Sequence, residues 1–226
     1  IASAVRAAGS LLLIDAAQSA GVVPIDLKET PIDLLAFPGH KGLYGPTGTG
    51  ALYVGPRVDG QIKAWREGGT GGDSSSETQP DPRPYCLEGG TPNVLGMAGL
   101  GKGIAWVAER GVDALRKHEV ELLQLVVDWA EGAEGWRVAG RWEPDRHVGA
   151  LSLFTPGGIS PQELAGILDV SFDIAVRPGL HCSPYIHRNL GSFPDGLLRV
   201  SPSPFTTHDD IRQLIDALRE ITVGVA

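Results

Sequence analysis

Sulfur is scarce in this chain: 226 residues hold one methionine, Met97, and two cysteines, Cys86 and Cys182. Two cysteines so far apart make no disulfide framework, so a reducing, cytoplasmic setting is the expectation. Aromatic residues are few, at 6%. Positive charge is short as well: 19 Lys and Arg against 27 Asp and Glu give a net charge of −8, with a pI near 5.2. That balance argues against nucleic acid or an anionic membrane surface as a partner. Small anions stay admissible, because local backbone N–H groups bind them whatever the net charge. No apolar run approaches the length of a membrane span, no signal-peptide pattern opens the chain, and no metal site is expected.

What is present is globular in character: 42% hydrophobic and 20% charged residues, long enough for one or two domains. Residues 1–8 followed by Gly9 read as the end of a helix and its C-cap glycine. The chain is therefore expected to be a piece of a longer protein that starts in mid-domain. LLLID (11–15), DLLAF (33–37) and GTGALYVG (48–55) read as strands, all three as runs buried on both faces. Such strands describe an open α/β sheet that binds ligands at its carboxyl ends. Residues 66–92 are too long and polar for an ordinary connection. Helices are expected from Asn93 to Glu109, with Thr91-Pro92 as start signal, and from Val112 to about Ala133. The remainder alternates: a strand near 148–154, a helix near 161–169, a strand near 173–177 and a turn. A strand at 196–200 and a helix at 208–221 with Thr207 as N-cap then close the chain. The expected division is an α/β portion over 1–110 and a smaller α+β domain over 111–226.

The segment FPGHKGLYGPTGTG (37–50) places Lys41 after a strand, among glycines and beside His40. A lysine near low-dielectric surface can lose its proton and attack a carbonyl to form a Schiff base, and glycines would let a bulky ligand approach the backbone. The plain alternative is a solvated lysine in a turn. Asp15 ends the first strand, and an acid buried there needs a cation or donors. A pyridinium nitrogen is such a cation, since pyridoxal-phosphate sites pair an acid with that atom and a lysine with the aldehyde. Gln18 could then donate to the ring hydroxyl. Asp15 capping the following turn is the alternative.

LLLIDAAQSAG (11–21), FPGHKGLYGPTGTGALYVG (37–55), LEGGTPN (87–93) and AVRPGLHCSP (175–184) stand in the order and spacing of class V aminotransferase-fold enzymes. Over essentially its whole length the chain resembles the cysteine desulfurase branch, particularly the SufS-like type. The resemblance implies an α/β, type I pyridoxal-phosphate-dependent transferase fold, with residues 1–110 the C-terminal portion of the large domain. It implies Lys41 as the lysine bonded to pyridoxal 5'-phosphate, Asp15 on the pyridine nitrogen, Gln18 on the phenolic oxygen and His40 close to the ring. It makes Thr91 a phosphate contact across a homodimer with shared active sites. Glu67 to Gly71 is a second family-like stretch near the partner's site.

Cys182 lies in R-P-G-L-H-C-S-P, where Arg177 and His181 supply local positive charge. In the resembled desulfurases the matching cysteine takes sulfur from L-cysteine as a persulfide and leaves alanine, and a sulfur-acceptor protein is a further partner. Arg199 matches the anchor for the substrate carboxylate; Arg177 is a second substrate contact or a loop-positioning residue. Cys86 has no such context, and His187 has no assignable role. One departure is Pro38, where the family usually carries Ser or Thr; proline supplies neither hydroxyl nor N–H for the phosphate, so either other donors compensate or cofactor affinity is lower. The upstream half of the family's site lies outside these residues. The alternatives are selenocysteine lyase, aminotransferase or β-lyase chemistry on the same constellation, or an inactive fragment.

Overall fold

The computed structural model describes residues 1–69 and 75–223. The chain forms two compact units, Ile1–Val112 and Asp113–Ala226.

The first unit begins with helix α1 (Ala2–Ala7) and builds a three-stranded sheet from β1 (Leu13–Asp15), β2 (Leu34–Pro38) and β3 (Gly50–Val54). β1 runs parallel to β2 with Asp15 opposite Ala36, and β3 returns antiparallel with Gly50 opposite Pro38. The expectation of strands buried on both faces is corrected. Leu11 and Leu13 are 49% and 57% exposed, and of the residues in β1 and β2 only Leu35 is buried. Burial on both faces needs layers on both faces, and the described residues of this unit contain one long helix, α2 (Val94–Arg110). That helix lies against the loop after β2, where Leu100 meets Gly39 and Gly45.

The buried acid of this unit is Asp33, 3% exposed. It accepts the Leu12 N–H at 2.8 Å and pairs with Arg57 at 3.1 Å, tying the start of β2 to the start of β1 and to the turn after β3. Removing one partner of a buried pair strands the other charge. Arg57→Ala is therefore expected to destabilise the protein by about 3 kcal/mol, with part of the loss recovered by adding Asp33→Asn. Urea unfolding checks this, and a loss below about 0.5 kcal/mol would show that water already solvates Asp33.

The second unit opens with α3 (Val112–Gly132), continues through β4 (Arg137–Val138), β5 (Leu151–Phe154), α4 (Pro161–Phe172), β6 (Arg177–Gly179), α5 (Pro184–Leu190) and β7 (Leu197–Val200), and ends with α6 (His208–Val223). Its sheet has the order β4-β5-β7-β6 and is antiparallel throughout. Leu122, Leu123 and Val126 of α3, Leu164 and Leu168 of α4, and Leu218 of α6 close over Leu153 and Leu198 in a single apolar core. Ser160 caps α4 by accepting the Glu163 N–H, with Pro161 in the first turn. At α6 the Thr207 hydroxyl accepts the Asp210 N–H, while the Thr207 N–H and O–H both donate to the Asp210 carboxylate. Those donors hold Asp210 below the usual carboxylate range.

Two of the differences from the sequence reading have a local cause. α4 runs to Phe172 and stops where Asp173 turns left-handed, so β6 starts at Arg177 rather than at 173. Residues 184–190, read as part of a turn, form α5, with Pro184 in its first turn and a left-handed Gly191 at its end. That pairing of proline inside the start and glycine at the end was the available signal.

Candidate active site

In the first unit the parallel pairing of β1 with β2 puts both carboxyl ends on one edge of the sheet. Asp15 and Gln18 follow one strand there, His40 and Lys41 the other. Asp15 is exposed, and its Oδ1 accepts the Ala17 N–H at 2.9 Å. Asp15 is therefore not the buried acid expected at the end of β1: the turn orients its carboxylate, and the buried, cation-paired acid is Asp33. Gln18 and His40 are exposed, and Lys41 is half-buried.

The Lys41 loop is fixed by its own backbone. Gly39 N–H donates to Thr49 O, Gly45 N–H to Gly39 O, and Tyr44 N–H to Lys41 O, all within 2.9 Å. A Cβ on Gly39 would stand 2.3 Å from Thr49 Oγ1 and 2.9 Å from Leu100, so this glycine is required by packing inside the protein. The sequence reading had assigned these glycines to the approach of a ligand. Tyr44 is left-handed, with its ring edge-on to Trp106 at 5.3 Å. Because Gly39 and Thr49 form a hydrogen-bonded pair, the preceding Pro38 turns its nitrogen away from β3, toward the side where β1 has ended. Proline therefore costs the sheet no hydrogen bond.

Thr91 is exposed and does not cap α2. Asn93 does so, its side chain accepting the Gly96 N–H at 3.0 Å; Asn outranks Thr in that role. Upstream, Gly90 N–H donates to Gly69 O, and Gln79 donates to Gly68 O. Thr70 and Gly71 of the 67–71 stretch lie outside the described residues.

The second unit gathers Arg177, His181, Cys182 and Arg199 into one cluster. Arg177 of β6 stands directly opposite Arg199 of β7, so two guanidinium groups share a sheet face. Neither forms an ion pair with a carboxylate among the described residues. Like charges placed so are unfavourable until an anion lies between them. Arg199 Nε is buried without a partner. Burial, then the Arg177 charge, draw Arg199 below its ordinary pKa, with Cys182 opposing them. Arg177 donates to Cys182 Sγ at 3.4 Å, and Cys182 is exposed. His181 and Cys182 are both left-handed, with φ of 50° and 64°, a conformation that costs a non-glycine residue about 1–2 kcal/mol.

His181 had been read as a source of positive charge beside the thiol. Burial foremost, with the charges of Arg199, His187 and Arg177, lowers its pKa against the pull of a hydrogen bond to the Arg177 carbonyl. The cations at the thiol are therefore the two arginines. Sequence reasoning assigned nothing to His187, which is 2% exposed with Nδ1 2.9 Å from Ser192 Oγ. Cys86 is buried at a short 3-10 turn, Tyr85–Leu87. Among the described residues no group of three His, Cys, Asp or Glu is placed to hold a metal ion, and no helix is long and apolar enough to cross a membrane.

Comparison with known proteins follows the same lines. The aminotransferase class-V family matches residues 1–214. A probable cysteine desulfurase of Methanothermobacter thermautotrophicus is 34% identical over 216 residues, 94% of this chain and 53% of that protein. The cysteine desulfurase CsdA of Escherichia coli is 32% identical over 215 residues, 94% of this chain and 51% of that protein. Among solved structures, the apo cysteine desulfurase of Thermococcus onnurineus superposes with a TM-score of 0.90 at 29% identity, covering 99% of this chain and 55% of that one. The S-sulfonic acid form of CsdA gives 0.88 at 29% identity, covering 99% and 54%. The chain thus spans about half the length of the curated relatives it matches.

Proposed function

Since the chain belongs to the class V aminotransferase family and has the α/β fold of type I pyridoxal-phosphate-dependent transferases, we propose that it serves a cysteine desulfurase, with Cys182 as sulfur-accepting nucleophile. One observation carries the reading: an exposed thiol on a left-handed loop, hydrogen-bonded by Arg177 and facing the charge of Arg199. A loop residue of no chemical use needs neither the two cations nor that backbone.

The donor set of the first unit fits pyridoxal phosphate. Asp15 offers an exposed carboxylate already oriented by Ala17 N–H, Gln18 an amide, His40 an imidazole and Lys41 an amine at the same sheet edge. Pro38 offers neither hydroxyl nor N–H, which leaves the phosphate to Thr91 and to backbone donors. Thr91 acts across a homodimer with shared active sites, and residues 1–110 form the cofactor-side domain with 111–226 as the small domain. When bound, the cofactor supplies the electron sink for the substrate's carbon. Arg199, with its unpartnered Nε, holds the substrate carboxylate in a charge-assisted fork, and Arg177 holds Cys182 Sγ in place. The sulfur atom then moves without any other reactant. The new S–S bond forms at Cys182 as the carbon–sulfur bond of L-cysteine breaks, and its electron pair goes to the carbon, which takes a proton. Thiol plus cysteine becomes persulfide plus alanine, and an acceptor protein or an added thiol removes the sulfur in the cytoplasm.

The test is product analysis on the intact protein reconstituted with pyridoxal phosphate. L-cysteine with a thiol reductant is expected to yield alanine and sulfide in equal amounts. Turnover of an amino acid without sulfide would move the protein to another class V reaction.

A further inference from the structure

Among the described residues, His187 is the buried titratable group near Cys182 that the proposed chemistry leaves unused. It sits in α5 at 2% exposure, with Nδ1 2.9 Å from the buried Ser192 Oγ. Ser192 is in turn held by its N–H to the His187 carbonyl. The His187 ring meets the His181 ring edge to face, centroids 5.4 Å apart. His181 Nε2 lies 2.9 Å from the Arg177 carbonyl; a carbonyl only accepts, so this nitrogen carries the proton. Arg177 closes the chain by donating to Cys182 Sγ.

Between these anchors lie two successive left-handed residues, His181 and Cys182, neither of them glycine or asparagine. Such a turn persists only where its surroundings over-determine it. The backbone contributes one clamp, Ser183 N–H to Leu180 O at 2.8 Å. The His181 ring is the other, and its orientation depends on the ring behind it. A buried imidazole whose plane is set by a hydroxyl gives a wall of fixed orientation; a phenyl ring would fill the space without fixing the plane.

We propose that His187 is a positioning residue for Cys182: oriented by Ser192, it fixes the His181 ring and so aims the thiol at Arg177. This rests on the reading of Cys182 as the nucleophile. Among the described residues, the charged and titratable groups that interact with this loop are Arg177, Arg199, His181 and His187, and the two arginines favour an anionic reagent.

The experiment compares alkylation of Cys182 by iodoacetate and by iodoacetamide in the intact, cofactor-loaded protein. The modified peptide is followed by mass spectrometry, so that other thiols do not count. The ratio of the two rates reports how the arginines face the sulfur. His187→Ala is expected to lower that ratio about fivefold, Ser192→Ala to lower it less, and His187→Asn, whose amide stands where Nδ1 meets the hydroxyl, to restore part of it. A merely structural contribution elsewhere in α5 would leave the ratio alone. Unchanged ratios in His187→Ala and Ser192→Ala overturn the proposal; if the alanine variant at 187 does not fold, Ser192→Ala and His187→Asn decide it. Sulfide release by the parent is assayed in parallel. Its absence alongside a shifted ratio removes the desulfurase reading and leaves the positioning role, whereas normal release with unshifted ratios removes the positioning role alone.

Discussion

Cys182→Ala is expected to cut release of alanine and sulfide from L-cysteine by at least about a thousandfold, while the cofactor stays bound. The size of the effect follows from the absence of a substitute. The other cysteine of the chain, Cys86, is 6% exposed and lies in the first unit, so no second thiol in the Arg177–Arg199 cluster can take the sulfur. Cys182→Ser keeps the size of the side chain and its hydrogen bond from Arg177, but a hydroxyl is the poorer nucleophile at neutral pH, and the same loss is expected. Cofactor retention is expected because the residues proposed to hold it, Asp15, Gln18, His40 and Lys41, all belong to the first unit and Cys182 to the second. The check is alanine and sulfide measured with the visible spectrum of the bound cofactor; a rate near the parental one would end the nucleophile assignment.

Lys41→Arg is expected to be as damaging as Lys41→Ala, each lowering turnover about a thousandfold or more. A surface ion-pair role would let arginine substitute for lysine. A role as amine nucleophile would not, because guanidinium does not give up its proton in proteins. The loop itself tolerates the change: Lys41 takes part in its frame through its carbonyl, which accepts the Tyr44 N–H, and not through the side chain. Borohydride reduction followed by peptide mapping separates the cases. The parent is expected to carry the reduced cofactor on Lys41 and both variants none, with unfolding midpoints close to the parent's.

Much of this was readable in advance because it depends on local pattern. The long amphipathic α3 and the capped α6 follow from period and cap residues. The cap of α2 was read two residues early: Asn93, not Thr91, accepts the Gly96 N–H, and both residue types are good caps. Long-range facts were not readable. Asp15 and Asp33 both border apolar strand runs, and only the partner Arg57, far along the chain, makes Asp33 the buried one. The glycines around Lys41 looked like space for a ligand because the close approach of Leu100 comes from a helix more than fifty residues away. The facing of Arg177 and Arg199 needs the β6–β7 register, which no single segment carries. α5 was missed although its proline and glycine were in view, since seven residues give too little periodicity to count.

The left-handed backbone at Cys182 also sets how this position drifts. Glycine adopts φ near 64° without penalty, and asparagine nearly so. Left to folding alone, random substitution and selection would move residue 182 toward one of these and away from a thiol. In a chain with only two cysteines, one thus sits on backbone that folding alone would give to glycine or asparagine.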